Sequence, residues 1–213
     1  MTPRPGARPA KGEAVMRAAR AEFGRHGYAR TSIDAIAAEA GVSTRTIYNH
    51  FAGKEQLFAA VLTSSATQVA DSVVQGAALA FAPEPLEPLD VERALVGLGL
   101  LLAAQQTDFP EHFAMVRQID AEADHFPQGV YEAWQDAGPR RVRAEVVARL
   151  RDLADRGLLV VDNPPRAAVH FAVLTTGEMR EASARGVRPP REDEAKEMVA
   201  AGVSVFLNGY GRR

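Results

Sequence analysis

The segment Ser43-Thr-Arg-Thr-Ile-Tyr-Asn-His50 crowds seven hydrogen-bonding side chains around one apolar residue, Ile47. On a helix, Ile47 and Phe51 are four apart and share a face. Thr44, Arg45, Tyr48 and Asn49 then fall on the other side, with Thr46 and His50 at the flanks. Hydroxyls, an amide, an imidazole and a guanidinium presented together are the groups that bind phosphate oxygens and base edges. An arginine so placed can hold guanine O6 and N7 in a fork. Several of these residues also have a packing explanation: Tyr48 as half core, His50 as a helix-end histidine, Ser43 as a cap alone. Arg45 is the hardest to explain that way, because an outward cation on so short a helix adds little to packing.

A helix this short cannot stand alone in water, so its neighbours must hold it. Ser43 is a natural N-cap. Upstream, Thr31 is expected to cap another helix, with Asp34 in the partner position of a capping box. Ile33, Ile36, Ala37 and Ala40 form one apolar stripe along it. Gly41 supplies the turn between the two, since a positive φ costs glycine nothing. Two short helices joined this way, the second turning polar groups outward, form a helix-turn-helix aimed at the DNA major groove. Ahead of them, about Lys11 to His26 reads as a helix with Val15, Ala19 and Phe23 inward, ended by Gly27. Residues 1–10 read as a flexible Pro/Arg tail, either a solvated appendage or an arm reaching phosphates or the minor groove. A long fourth helix runs from Lys54 to about Ala80.

Charge agrees in sign. Residues 1–58 hold nine Lys and Arg against five acids, whereas the remainder holds 16 against 22, so the net of −2 hides a basic front and an acidic rear. Phosphate contact needs a local positive field, not a basic whole protein.

The 213 residues contain no Cys, which removes disulfides, thiolate metal sites and Cys nucleophiles. The start of the chain has no apolar run resembling a secretory signal. Ala94–Ala104, read as the longest apolar stretch, is shorter than the roughly 18–20 residues a membrane span needs. A soluble, cytoplasmic protein without membrane partners is expected. Gly97-Leu-Gly99 lacks a third glycine and a preceding strand, and no Gly-x-Ser-x-Gly turn occurs, so no enzyme is expected. Asp120, Asp124 and His125, with His112 upstream, can be read as metal ligands, but acids near a helix end are usually a solvated face. No metal or other cofactor is expected.

Behind the fourth helix, Pro83, Pro85 and Pro88 break the chain. Helices are then predicted over about 90–106, 110–124, a stretch carrying Tyr131 and Trp134, 140–156, 165–184 and 192–207. Leu158–Val161 reads as an extended connection. With no repeats and no βαβ alternation, the fold class is all-α. Ala167 to Leu174 is apolar nearly all round, and the last helix carries more than one apolar stripe, so a second face must also be covered. A twin subunit seated on Val169, Ala172, Val173, Met198, Val199, Val203 and Phe206 accounts for this, as does burial within one subunit. Leu101, Leu102, Phe109, Phe113, Met115, Val116, Phe126, Tyr131, Trp134 and Phe171 can wall an adaptable apolar cavity, with His112, Gln118, His125, His170 and Thr175 as polar markers. Each of them can equally be ordinary core.

The pattern Ile36-Ala-x-x-Ala-Gly-Val-Ser43, then Thr46-Ile-Tyr-x-x-Phe51, then Lys54-Glu55, resembles the DNA-binding module of the tetracycline-repressor (TetR) family. The resemblance is strongest over about residues 11–58. It implies a three-helix DNA-binding domain (11–58), behind the flexible tail, joined by the long fourth helix to a helical effector-binding and dimerisation domain (59–213). By position, Thr31, Tyr48, His50 and Lys54 would touch the phosphate backbone, and Ser43, Thr44, Arg45, Thr46 and Asn49 would face the groove. Many members have glycine near Arg45-Thr46, so side-chain readout gains weight here. The partners so implied are a palindromic double-stranded DNA operator, a second copy of the chain, and an amphipathic small molecule that alters DNA affinity. The competing reading is a constitutive DNA-binding or architectural protein with no effector.

Overall fold

A computed structural model describes residues 7–82, 90–121, 128–182 and 190–211. It is all-α. The ten helices of the described residues are α1 (Ala7–Arg30), α2 (Ile33–Ala40), α3 (Thr44–Tyr48), α4 (Lys54–Ala80), α5 (Val91–Asp108), α6 (Pro110–Ala121), α7 (Gln128–Ala137), α8 (Pro139–Asp155), α9 (Pro164–Ala182) and α10 (Glu192–Tyr210). Each predicted helix has its counterpart among the described residues; the predicted ends at 122–124 and 183–184 lie outside them. The first begins earlier than its composition suggested, so residues 7–10, placed in the tail on sequence, have helical backbone.

The chain packs as two compact units: Met1–Thr67 with Phe109–Ala137, and Gln68–Asp108 with Gly138–Arg213. In the first, Val15, Ala19 and Phe23 of α1 meet Ile36, Ile47, Leu57, Phe58, Val61 and Leu62, all buried. Phe23 and Phe58 pack edge to face with centroids 4.7 Å apart, and Tyr28 lies 5.1 Å from Phe58. Met115 and Ile119 of α6 and Val130 and Trp134 of α7 complete this core. Gly24 of α1 lies against α6: a Cβ there would meet the Glu111 carbonyl oxygen at 3.5 Å, an ordinary contact.

The second unit buries Phe81, Leu95, Leu98, Leu150, Leu153, Phe171, Val199, Val203 and Phe206 together. Its helices cross where side chains vanish. A Cβ on Gly202 of α10 would sit 2.1 Å from the Leu174 carbonyl oxygen on α9, so only glycine permits that approach. Leu159 forms an isolated antiparallel bridge with Gly211, and the Val160 amide donates to the Tyr210 carbonyl at 2.7 Å. The extended connection is therefore paired with the end of α10.

The apolar stretch that matters for a membrane test is α4 rather than Ala94–Ala104. Its 27 residues are long and apolar enough to cross a bilayer, but half of the most apolar window is buried within the protein, as in a core helix.

Candidate nucleic-acid interface

Local chemistry builds the helix-turn-helix in steps. Gly27 breaks α1 with φ 77° and ψ 173°, turning the chain toward α2. Sequence placed the α2 cap on Thr31; the structure places it on Ser32, whose Oγ accepts from the Ala35 amide at 3.1 Å. Thr31 instead turns inward and donates its hydroxyl to the Gly27 carbonyl at 2.8 Å. Both residue types cap equally well, and Thr31 is claimed by the end of α1. Gly41 closes α2 in the left-handed region, φ 64°. Ser43 caps α3 as expected: its Oγ accepts from the Thr46 amide at 3.2 Å and lies 2.9 Å from the Thr46 hydroxyl.

Ile47 is fully buried and anchors α3, and Phe51 is half-buried beneath it. Arg45, Tyr48, Asn49, His50 and Ser43 are exposed, with Tyr48 at 56%, and Thr44 and Thr46 are half-buried. Solvent therefore reaches the side chains on both sides of the Ile47 anchor. Arg45 pairs with no acid among the described residues. Arg25 of α1, by contrast, is bound to Glu22 and to Glu39 of α2.

Lys54 differs from the others. At the first position of α4, its ammonium donates to the carbonyls of Tyr28 (2.9 Å), Ala29 (3.3 Å) and Thr31 (3.1 Å), and it sits 4.5 Å above the Tyr28 ring. Tyr28 was not singled out on sequence, and nothing in local spacing reveals a partner 26 residues away. Burial, and then the Glu55 carboxylate, push the Tyr28 hydroxyl above its ordinary pKa.

The residues proposed for a ligand cavity divide between the two units. Leu101, Leu102, Phe171 and Thr175 belong to the second; Phe109, His112, Phe113, Met115, Val116, Gln118, Tyr131 and Trp134 belong to the first. Phe126 and His125 lie outside the described residues, as does Asp124. Met115, Trp134 and Phe171 are core, and Thr175 is buried with its hydroxyl on the Phe171 carbonyl at 2.8 Å. His170 is no cavity marker: it is exposed, its Nδ1 2.7 Å from the Tyr210 hydroxyl. Gln105 Oε1 in the second unit and Trp134 Nε1 in the first are buried with no hydrogen-bond partner among the described residues. No group of three or more candidate metal ligands occurs among the described residues.

The seam list needs correction. Val199, Val203 and Phe206 are at most 1% exposed and point into the core of their own unit. Ala172 and Met198 are half-buried, and the outward apolar positions are Val169, Val173 and Val205. With Gly177, Ala201 and Gly209, these fall at four-residue intervals on α9 (169, 173, 177) and α10 (201, 205, 209). Space is open around both of those glycines.

Residues 15–61 match the profile of the bacterial regulatory proteins of the tetR family, and residues 94–212 match the C-terminal domain of AefR-like transcriptional repressors. The chain is 32% identical over 145 residues to the HTH-type transcriptional repressor SCO4008 of Streptomyces coelicolor, covering 68% of this chain and 65% of that protein. Among solved structures, a TetR-family protein of Mesorhizobium loti MAFF303099 is 32% identical, with 97% of this chain and 99% of that one covered and a TM-score of 0.82. The flavonoid-responsive regulator FrrA is 28% identical, with 95% and 98% covered and a TM-score of 0.72. The second profile alone takes in more than half of the sequence, and the chain belongs to the TetR family, whose members are transcriptional regulators and not enzymes.

Proposed function

We propose that this chain is a DNA-binding transcriptional repressor that works in the cytoplasm as a homodimer and reads a palindromic operator with α3. The observation that carries the reading is the surface around Ile47. A fully buried anchor holds a short helix whose Arg45, Tyr48, Asn49 and His50 face outward, with Ser43, Thr44 and Thr46 beside them. Arg45 reads a base edge, and Tyr48 and His50 take phosphates. The open stripes of α9 and α10 are the seam. Valines and glycines at four-residue spacing let two helix pairs approach closely, and a two-fold partner explains the two-fold operator. The effector is an amphipathic small molecule, a reading supported by the similarity to a flavonoid-responsive regulator.

Selection of genomic fragments by purified protein, followed by mobility shift at two salt concentrations, tests this. Enrichment of a palindrome, with affinity falling steeply as salt rises, is the expected result. Binding with no preferred sequence would replace it with an architectural role.

A further inference from the structure

Thr31 and Lys54 bracket the helix-turn-helix: α2 and α3 lie wholly between them. The Lys54 ammonium and the Thr31 carbonyl oxygen are 3.1 Å apart, so the two ends of this 31–54 segment are tied to each other. The same ammonium holds the Tyr28 and Ala29 carbonyls at the end of α1. An ammonium has three hydrogens, and three carbonyls receive them. None is left for a phosphate. The location reinforces the point. A cation in the first turn of α4 opposes that helix's own dipole, whereas the carbonyl end of α1 favours it. Lys54 therefore serves the end of α1, with the Tyr28 ring completing the cradle at 4.5 Å.

We propose that Lys54 is a positioning residue: it clasps the neck of the helix-turn-helix and so fixes how α3 is offered to DNA, without touching phosphate itself. The proposal rests on the reading of α3 as the DNA-contacting helix. A planar guanidinium spreads its donors across a fork and cannot converge on three carbonyls around one nitrogen. Arginine at this position keeps the charge and breaks the clasp.

The test compares wild type, Lys54→Arg and Lys54→Met on the selected operator duplex over a range of salt, with circular dichroism to count folded protein. Both variants are expected to bind at least about tenfold more weakly per folded molecule, with the slope of log affinity against log salt unchanged. Retained affinity in Lys54→Arg, with a slope shallower by about 0.9 in Lys54→Met, would make Lys54 a phosphate contact and overturn the proposal. A lower melting temperature with unchanged affinity would make it a stabilising residue only, which also overturns it. Failure of wild type to bind any duplex is a separate result. It would remove the DNA reading, and with it the role assigned here.

Discussion

His112 Nδ1 on α6 lies 2.8 Å from Ser65 Oγ on α4, inside the first unit, where both residues are buried. The Ser65 hydroxyl donates to the Leu62 carbonyl at 3.0 Å, so Ser65 accepts and His112 donates from Nδ1. Burial first, and the nearby Arg20 guanidinium second, hold the imidazole neutral, with its pKa lowered to about 4. The unfolded chain takes up this proton near pH 6.5. Between the two values the unfolded state binds more protons. The stabilisation is therefore complete above about pH 6.5 and lost as pH falls toward about 4. Its size is on the order of 3 kcal/mol. Chemical denaturation of wild type and His112→Asn across that window should show the gap between them closing as acid is added. A gap independent of pH would mean that His112 is not held neutral.

Arg45→Ala is expected to cost about 1–3 kcal/mol of operator affinity and to relax preference at one base position. The expected salt slope is unchanged. Competition against operators substituted one position at a time reads both quantities. A loss uniform across all sequences, with a shallower slope, would move Arg45 to the backbone.

Val173→Glu and Val205→Glu place charge on the open faces of α9 and α10 and should yield folded monomers by light scattering. Phe206→Glu should behave differently. Phe206 packs edge to face on Phe171 at 5.3 Å and stacks on Tyr210 at 4.6 Å, so the change should unfold the second unit rather than separate subunits. Dimers persisting in both valine variants would place the seam elsewhere.

Gly202→Ala should destabilise the protein by about 1–3 kcal/mol, because the added carbon meets backbone that cannot rotate away. The better helix propensity of alanine, at most about 1 kcal/mol, does not offset that. Gly12→Ala on α1, where nothing lies within 4 Å, should be neutral or slightly stabilising. Thermal melts of the two variants decide it.

Helix periodicity made most of this fold legible, and Gly41, Ser43 and the Ile47–Phe51 face were readable because each depends on neighbours within four residues. What could not be read depends on distance. Nothing local distinguishes the stripe of α10 that faces α9 and α5 (Val199, Val203, Phe206) from the one that faces out (Ala201, Val205, Gly209), because both are apolar. Ser32 and Thr31 are equally able caps, and only the carbonyls at the end of α1 decide between them. The Lys54 clasp joins residues 23 to 26 apart and leaves no pattern in sequence.

The core of the first unit is sewn from two separate stretches of chain, with Met115, Ile119, Val130 and Trp134 arriving from beyond the intervening α5. The reading head is therefore not a detachable cassette. A graft cut after α4 begins would strip α6 from α1 and open to water the core that Met115, Ile119, Val130 and Trp134 complete. Exchanging operator specificity between relatives then requires substituting the surface of α3 in place, or carrying residues 109–137 along with it.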